Sequence, residues 1–536
     1  MSEDARADRR WGTIPALLVD TAERHGEAEA LVDGDVRLTW SDLRDRAEQA
    51  GRALLVAGVE PGDRVAIWAP NTWEWVVALL GLQWAGAVLV PLNTRYKGDE
   101  ASWILSRSRA RVLITVDGFL GNDYVAMLSG VDLPHLQRVV VLRHQSPPEG
   151  TVGWDDLCAT GTVVDRAALA DRLTALGPGD RSDLLFTSGT TGRPKGVVQT
   201  HGQTLRAFQS WADVVGLDAS DRYLIVNPFF HAFGYKAGIV ACLLTGATMV
   251  PLPVFDIAAV MATIAAESIT VLPGPPALYQ AILASPERSS LGASSLRLAV
   301  TGAAVVPVSL VEQMRSVLGF ATVVTGYGLT EAGGIATMCR HDDDAETIAT
   351  TSGRAIPDVE VQVVDDAGAE VPRGRPGEVV VRGYNVMAGY FEEPEQTAEA
   401  IDAEGWLHTG DVGVMDDRGY LRITDRKKDM FIVGGFNAYP AEIEGALLGH
   451  PSVAAAAVVG VADDRLGEVG VAFVVPAAGA EVHEAGLIAW AKERMANYKV
   501  PRAVHVVDAL PLNASGKVLK YELRARATTD VGGSGP

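Results

Sequence analysis

Apolar residues fall along this chain in two alternating rhythms. Arg64–Pro70 (RVAIWAP), Ala87–Leu92 (AVLVPL), Arg111–Val116 (RVLITV) and Thr322–Gly328 (TVVTGYG) are short, rich in β-branched residues and apolar on both faces. Strands of that kind are covered on both sides, as in a parallel sheet packed between helices. Between them lie longer stretches with apolar positions three and four apart, such as Thr39–Gly58 (TWSDLRDRAEQAGRALLVAG), which predict amphipathic helices. The alternation predicts an α/β fold of layered, mostly parallel sheets. No unit of 20 to 50 residues repeats, which excludes solenoids and propellers.

The texture changes after Gly377. GEVVVRG reads as a strand, DDRGYLRI as a turn into a strand, and DRKKD as a charged connection. A compact segment follows with its own signals: VAAAAVVG and VAFVVPA as strands, AGLIAWAKERM as a helix. We expect a boundary at Asp425–Asp429, with residues 1–424 as a large N-terminal domain, 425–428 as a hinge and 429–536 as a small, mobile α+β domain. The tail ATTDVGGSGP reads as frayed.

Bulk chemistry narrows the classes. At 536 residues the chain exceeds one hydrophobic core. A net charge of -21 argues against nucleic acid, whose phosphates are met by clustered Lys and Arg. Cys158, Cys242 and Cys339 are far apart and form no CxxC pair, which fits a reducing cytoplasm better than disulfides or zinc. The first residues carry no uninterrupted apolar run of the secretory kind. Two longer apolar runs are broken, Trp75–Leu92 by Gln83, Gly86 and Pro91, and Ala237–Phe255 by Gly246, Pro251 and Pro253. Each reads as buried helix, glycine turn and buried strand, so no integral membrane association is expected.

The stretch with the most chemistry is Thr187–Gly196, TSGTTGRPKG. It follows the strand-like DLLFT and precedes a helix with Thr200 as N-cap. Glycines let backbone N–H groups converge on an anion, and hydroxyls add donors. No acid occurs from Leu184 to Ala212, while Arg193, Lys195 and Arg206 do. Lys195 precedes Gly196, the reverse of a Walker A loop, so this is another kind of phosphate loop.

That decapeptide, with YGLTE, HTGD, DRKKDMFIVGGFNAYPAEIE and PLNASGKVLK, resembles the adenylate-forming superfamily of acyl-CoA synthetases, adenylation domains and firefly-type luciferases. The resemblance spans essentially the whole chain. It implies an N-terminal ATP- and acyl-binding domain that joins a carboxylate to ATP, releasing pyrophosphate. It also implies that Thr187, Ser188, Thr190, Thr191 and Lys195 hold the β- and γ-phosphates, with Gly189 and Gly192 in the same loop. Gly302, Ala303 and Ala304 would line one face of adenine, and Tyr327, flanked by Gly326 and Gly328, would stack on the other. Thr330 would touch the α-phosphate and Glu331 would help hold Mg²⁺, a hard cation that prefers oxygen ligands. Asp411 and Arg426 would contact the ribose; a carboxylate can accept two hydrogen bonds from a diol.

The first step joins two anions, so a positioned cation is needed where charge develops. The resemblance puts it on Lys517 of the small domain. A tally of Lys499, Arg502, Lys517, Lys520, Arg524 and Arg526 against Asp508 and Glu522 suggests a basic end suited to ATP and CoA. Coenzyme A would enter after a rotation hinged at Lys428, past Gly434 and Gly435, with Glu442 supporting a helix start. The acyl site would be walled by NPFFHAFGYKAG and LPGPPALY, with His231 near the carboxylate. Phe229, Phe230, Phe233 and Tyr235 favour an apolar acid. Lys236 reads either as a pocket residue or as a snorkelling surface lysine. FGYKAG is similar to actinobacterial ligases for the propanoate side chain of degraded steroid rings, with medium or long fatty acids as the competitor. The alternative function is an adenylation enzyme loading a separate carrier protein, because only two residues follow Ser534 and no carrier is fused. A luciferase is a lesser alternative, and monomer or homodimer stays open.

Overall fold

The computed structural model describes residues 6–144, 146–188, 194–291, 295–302, 306–365, 367–426, 431–438, 440–477, 479–511, 518 and 520–531. The chain forms two compact units. The first is Met1–Thr94, Leu105–Leu185 and Gly196–Asp425; the second is Arg95–Ile104, Phe186–Lys195 and Arg426–Pro536.

The largest sheet among the described residues has eight strands. Their order is Gly389–Tyr390, Pro194–Thr200, Arg181–Ser188, Val88–Pro91, Arg64–Trp68, Ala110–Val116, Arg138–Leu142 and Val152–Gly153. From Arg181–Ser188 to Val152–Gly153 every pair is parallel, and the edge strand Gly389–Tyr390 is antiparallel. A second sheet orders Val36–Thr39, Glu29–Asp33, Thr248–Pro251 and Arg222–Ile225, the last two pairings parallel. Val271 bridges it to Leu298–Thr301, which runs parallel to Thr322–Tyr327 with Thr301 opposite Thr325. A separate sheet of Val359–Val364, Pro376–Gly383, Leu407–Met415 and Leu421–Arg426 closes the first unit.

Local chemistry explains the helices. Trp40–Val56 starts where Thr39 and Asp42 cap each other, and Trp40, Leu43, Ala47, Ala50 and Leu54 make its buried stripe. Trp73–Trp84 is buried nearly all round, so its sequence carries no amphipathic signal. The two pack closely at Gly81, where a Cβ would lie 2.8 Å from that of Ala50. The glycine turn and buried strand expected after it are present at Gly86 and Val88–Pro91. No helix among the described residues is long and apolar enough to cross a membrane.

The second unit holds the strands Phe431–Val433, Phe436–Ala438, Val453–Asp463, Gly467–Pro476 and Ala503–Val506. The helices Pro440–Leu447 and Glu484–Arg494 supply Ile443, Leu447, Leu487 and Ala491 to its core. Burying each leucine contributes about 1.5–3 kcal/mol. The strands at Phe431 and Phe436 are joined by Gly434 and Gly435, at φ +56° and +85°, the two-glycine form of a tight hairpin.

Candidate functional site

The first unit brings together several residues singled out in the sequence. Thr322–Tyr327 emerges beside Leu298–Thr301, so Gly302 and Gly326 are neighbours; a Cβ on Gly302 would lie 3.3 Å from the Gly326 carbonyl oxygen. Gly328 approaches Gly334 so closely that a Cβ there would sit 2.3 Å from the Gly334 oxygen, which requires glycine. The Tyr327 hydroxyl donates to Asp411 Oδ2 at 2.6 Å. Asp411 is 1% exposed and is presented by a turn through Gly410 (φ +71°), its N–H donating to Thr409 Oγ1 at 3.1 Å.

Thr330 and Glu331 open a single 3₁₀ turn, Thr330–Ala332, rather than a helix. Tyr390 donates its hydroxyl to Glu331 Oε1 at 3.0 Å, and the Glu331 carbonyl accepts from the Met387 N–H at 2.8 Å. Asn385 is fully buried beneath this turn and donates to the carbonyls of Ala332 and Ile335. Tyr390 and Asn385 escaped the sequence reading. The stretch NVMAGY, which holds both residues, was the available signal.

The acyl-segment candidates follow the strand Arg222–Ile225. Asn71 braces them, its amide donating to the carbonyls of Ile225 and Asn227 and its oxygen accepting from the Phe229 N–H at 2.8 Å. Gly234 has no room for a side chain, since a Cβ would lie 2.2 Å from the Pro228 oxygen. His231 caps the short helix Ala232–Gly234 by accepting from the Phe233 N–H at 3.2 Å. Surrounding protein pushes the His231 pKa down, but the ring is exposed. Ala232 abuts the glycines after Glu331: a Cβ on Gly334 would be 2.9 Å from that of Ala232.

Two expectations about this segment need correction. Phe229 and Tyr235 do not offer an apolar face to a ligand; both are fully buried against Trp75, with centroids 5.0 and 6.4 Å away. Phe230 and Phe233 remain partly exposed. Lys236 is no snorkelling residue: it is 1% exposed, with its Nζ 3.0 Å from Oδ1 of Asp183, itself fully buried. Burial lowers the Lys236 pKa, and the Asp183 charge offsets this only in part.

In the second unit Thr187 and Ser188 end the strand Arg181–Ser188, and Lys195 begins Pro194–Thr200; Thr187 and Lys195 are half-buried. Arg426 ends Leu421–Arg426, and Gly434 and Gly435 form the exposed hairpin turn. Gly189, Thr190, Thr191, Gly192, Ala303, Ala304, Lys428 and Lys517 lie outside the described residues. The basic end is less basic than its tally suggests. Lys499 is buried between Glu442 (2.6 Å) and Glu100 (2.7 Å), and Lys520 pairs with Glu444 at 2.8 Å. Among the described residues no group of three His, Cys, Asp or Glu could cage a metal ion.

Comparison with known proteins identifies the family. Residues 18–391 match the AMP-binding enzyme family, and residues 442–517 match the AMP-binding enzyme C-terminal domain. The chain belongs to the AMP-binding enzyme family. It is 52% identical over 516 residues, 96% of this chain and 98% of the relative, to the 3-[(3aS,4S,7aS)-7a-methyl-1,5-dioxo-octahydro-1H-inden-4-yl]propanoyl:CoA ligase of Rhodococcus jostii. The protein of that name from Mycobacterium tuberculosis is 53% identical over 514 residues, 96% of this chain and 98% of the relative. Among solved structures, the amide bond synthetase McbA of Marinactinospora thermotolerans superposes with a TM-score of 0.82 at 31% identity, covering 95% of this chain and 99% of that one.

Proposed function

We propose that this chain is an ATP-dependent acyl-CoA ligase acting on a bulky, apolar, steroid-derived propanoate of the indane-dione type. The observation that carries the reading is identity above one half, over almost the full length, to two ligases named for that acid. In the first step a carboxylate oxygen attacks the α-phosphorus of ATP and the bond to the β-phosphate breaks, giving acyl-AMP and pyrophosphate. In the second, the thiol sulfur of CoA attacks the acyl carbon, loses its proton, and AMP departs.

Each residue then has a task. Tyr327 offers a ring to adenine, and its hydroxyl fixes Asp411, which faces the ribose. Thr187, Ser188 and Lys195 grip the outer phosphates from the ends of two strands. Thr330 contacts the α-phosphate and His231 stands near the acid carboxylate. Lys517 supplies the cation between the two anions, and Lys428 the hinge between steps, dividing 1–424 from 429–536. A Mg²⁺ ion would be held by the single carboxylate Glu331, oriented by Tyr390, with phosphate oxygens completing its shell. One carboxylate suits an ion that keeps several non-protein ligands. Bound there, Mg²⁺ would neutralise phosphate charge.

The test is a panel of carboxylic acids with ATP and free CoA, read by AMP release and acyl-CoA formation. Indane-type propanoates should be turned over with the highest kcat/KM. Preference for palmitate removes the steroid assignment; adenylation without transfer to free CoA favours the carrier-protein alternative.

A further inference from the structure

Lys236 stands where a stability argument gives no reason for it. It lies in a π-helical turn, Tyr235–Val240, whose wider winding is rare and recurs at functional sites. This turn seats Gly238 on the strand Arg222–Ile225, where a Cβ would lie 3.1 Å from Ile225 Cγ2, and directs Lys236 inward. There a small buried polar network receives it. Asp183 Oδ1 is 3.0 Å from the Lys236 ammonium, and Oδ2 accepts from Ser182 Oγ at 2.7 Å. Gln83 Nε2 donates to the Tyr235 hydroxyl at 3.0 Å and to the Ser182 carbonyl at 3.2 Å.

A buried ion pair is weak as a source of stability, because desolvating two charges costs several kcal/mol and an apolar pair of similar volume often does as well. What such a pair supplies is register, since sliding either segment would strand a charge in a dry interior. The two segments it pins are the ones acid activation must align. One carries His231, Phe230 and Phe233; the other is the strand that continues from Asp183 to Thr187 and Ser188.

We propose that the Lys236–Asp183 pair, with Tyr235 and Gln83 around it, is a positioning device for the acid. It fixes the acyl segment on this strand and so sets where the carboxylate is held for adenylation. The inference rests on the ligase reading above. Lys236 and Asp183 act through the segments they pin and touch no reacting atom.

The test is the double variant Asp183→Asn/Lys236→Met, which removes both charges and leaves no stranded ion. Acid-dependent exchange of pyrophosphate into ATP is measured with each substrate varied. The double variant should melt near the wild-type temperature, raise the acid KM about tenfold and leave the ATP KM unchanged, since misplacement is felt by the group misplaced. A merely structural role would instead reduce the active fraction without moving the acid KM. An acid KM within about twofold of wild type overturns the proposal. Should the double variant fail to fold, Tyr235→Phe keeps the ring and removes one hydrogen bond of the network. It should raise the acid KM about threefold, the scale of one such bond, and an unchanged value overturns the proposal. The wild-type protein reports separately on the underlying reading: no exchange with any carboxylate overturns both claims, whereas exchange that the variants leave untouched overturns only this one.

Discussion

Among the described residues each unit buries one lysine, and the two are held in opposite ways. Lys236 in the first unit faces one carboxylate, Asp183. Burial dominates there and its pKa falls. Lys499 in the second unit faces Glu442 and Glu100, with the ring of Tyr96 at 4.7 Å and that of Tyr498 at 5.6 Å. Burial opposes its charge too, but Tyr498, Glu442 and Glu100 together outweigh that cost and its pKa rises well above the ordinary value. The number of anionic partners thus decides the sign. A one-to-one pair is finely balanced and suits a register; a lysine shared by two carboxylates is an anchor.

The sharpest way to break the comparison is Lys499→Met. It leaves Glu100 and Glu442 buried together without a cation, and should cost about 3–5 kcal/mol. Urea unfolding followed through Trp490 would read the loss, and a loss under about 1 kcal/mol would contradict the anchor. Lys517 makes a third kind of lysine, proposed to act on substrate. Lys517→Ala should slow adenylation roughly 10²- to 10³-fold, with much less effect on thioester formation from supplied acyl-adenylate. Equal losses in both half-reactions would remove its first-step role.

His201 sharpens the comparison, being a buried base with no ion partner at hydrogen-bonding distance among the described residues. Its Nδ1 is 3.4 Å from the Ile14 N–H, and burial pushes its pKa down to about 4. The folded value lies below the unfolded one of 6.5, so the stability it gives is complete above pH 6.5 and is lost as pH falls through about 4. The expected loss is about 3 kcal/mol, and it should be smaller in His201→Gln when urea midpoints are compared across that range.

Glu100 gives the smallest effect. Burial raises its pKa above the ordinary 4.5 ahead of the opposing pull of Lys499. Its contribution is therefore present below pH 4.5 and lost as pH rises through the raised folded value. Glu100→Gln should flatten that decline, by about 1 kcal/mol for each pH unit it spans. An unchanged slope would show that Glu100 stays ionised throughout.

Much of this was legible in the chain. The helix starts at Thr39 and Thr200 could be read because a cap, its partner three residues on and an apolar stripe agree, and both carry capping boxes. Tyr327 and Asp411 were chosen as separate nucleotide contacts and prove to share a hydrogen bond. The facing of Phe229 and Tyr235 was not legible, because nothing local in the sequence fixes which way either ring turns. It was settled by Trp75, which no local pattern connects to them. The burial of Lys236, left open between pocket and surface, and that of Lys499, counted towards a basic end, were hidden for the same reason. A count of charges along the sequence cannot see Asp183 or Glu100 brought in from elsewhere in the chain.

The membership of Arg95–Ile104 in the second unit has a practical consequence for anyone dissecting this enzyme. A fragment begun at Arg426 would contain the five-stranded sheet with the helices Pro440–Leu447 and Glu484–Arg494 and still lack Glu100, along with the Arg95 guanidinium that lies 5.3 Å from the Phe436 ring. Such a fragment would lack Phe186–Lys195 as well, and Lys499 would lose one of its two carboxylates with the missing Arg95–Ile104. Splicing that short stretch back on through a linker would be the first repair to try.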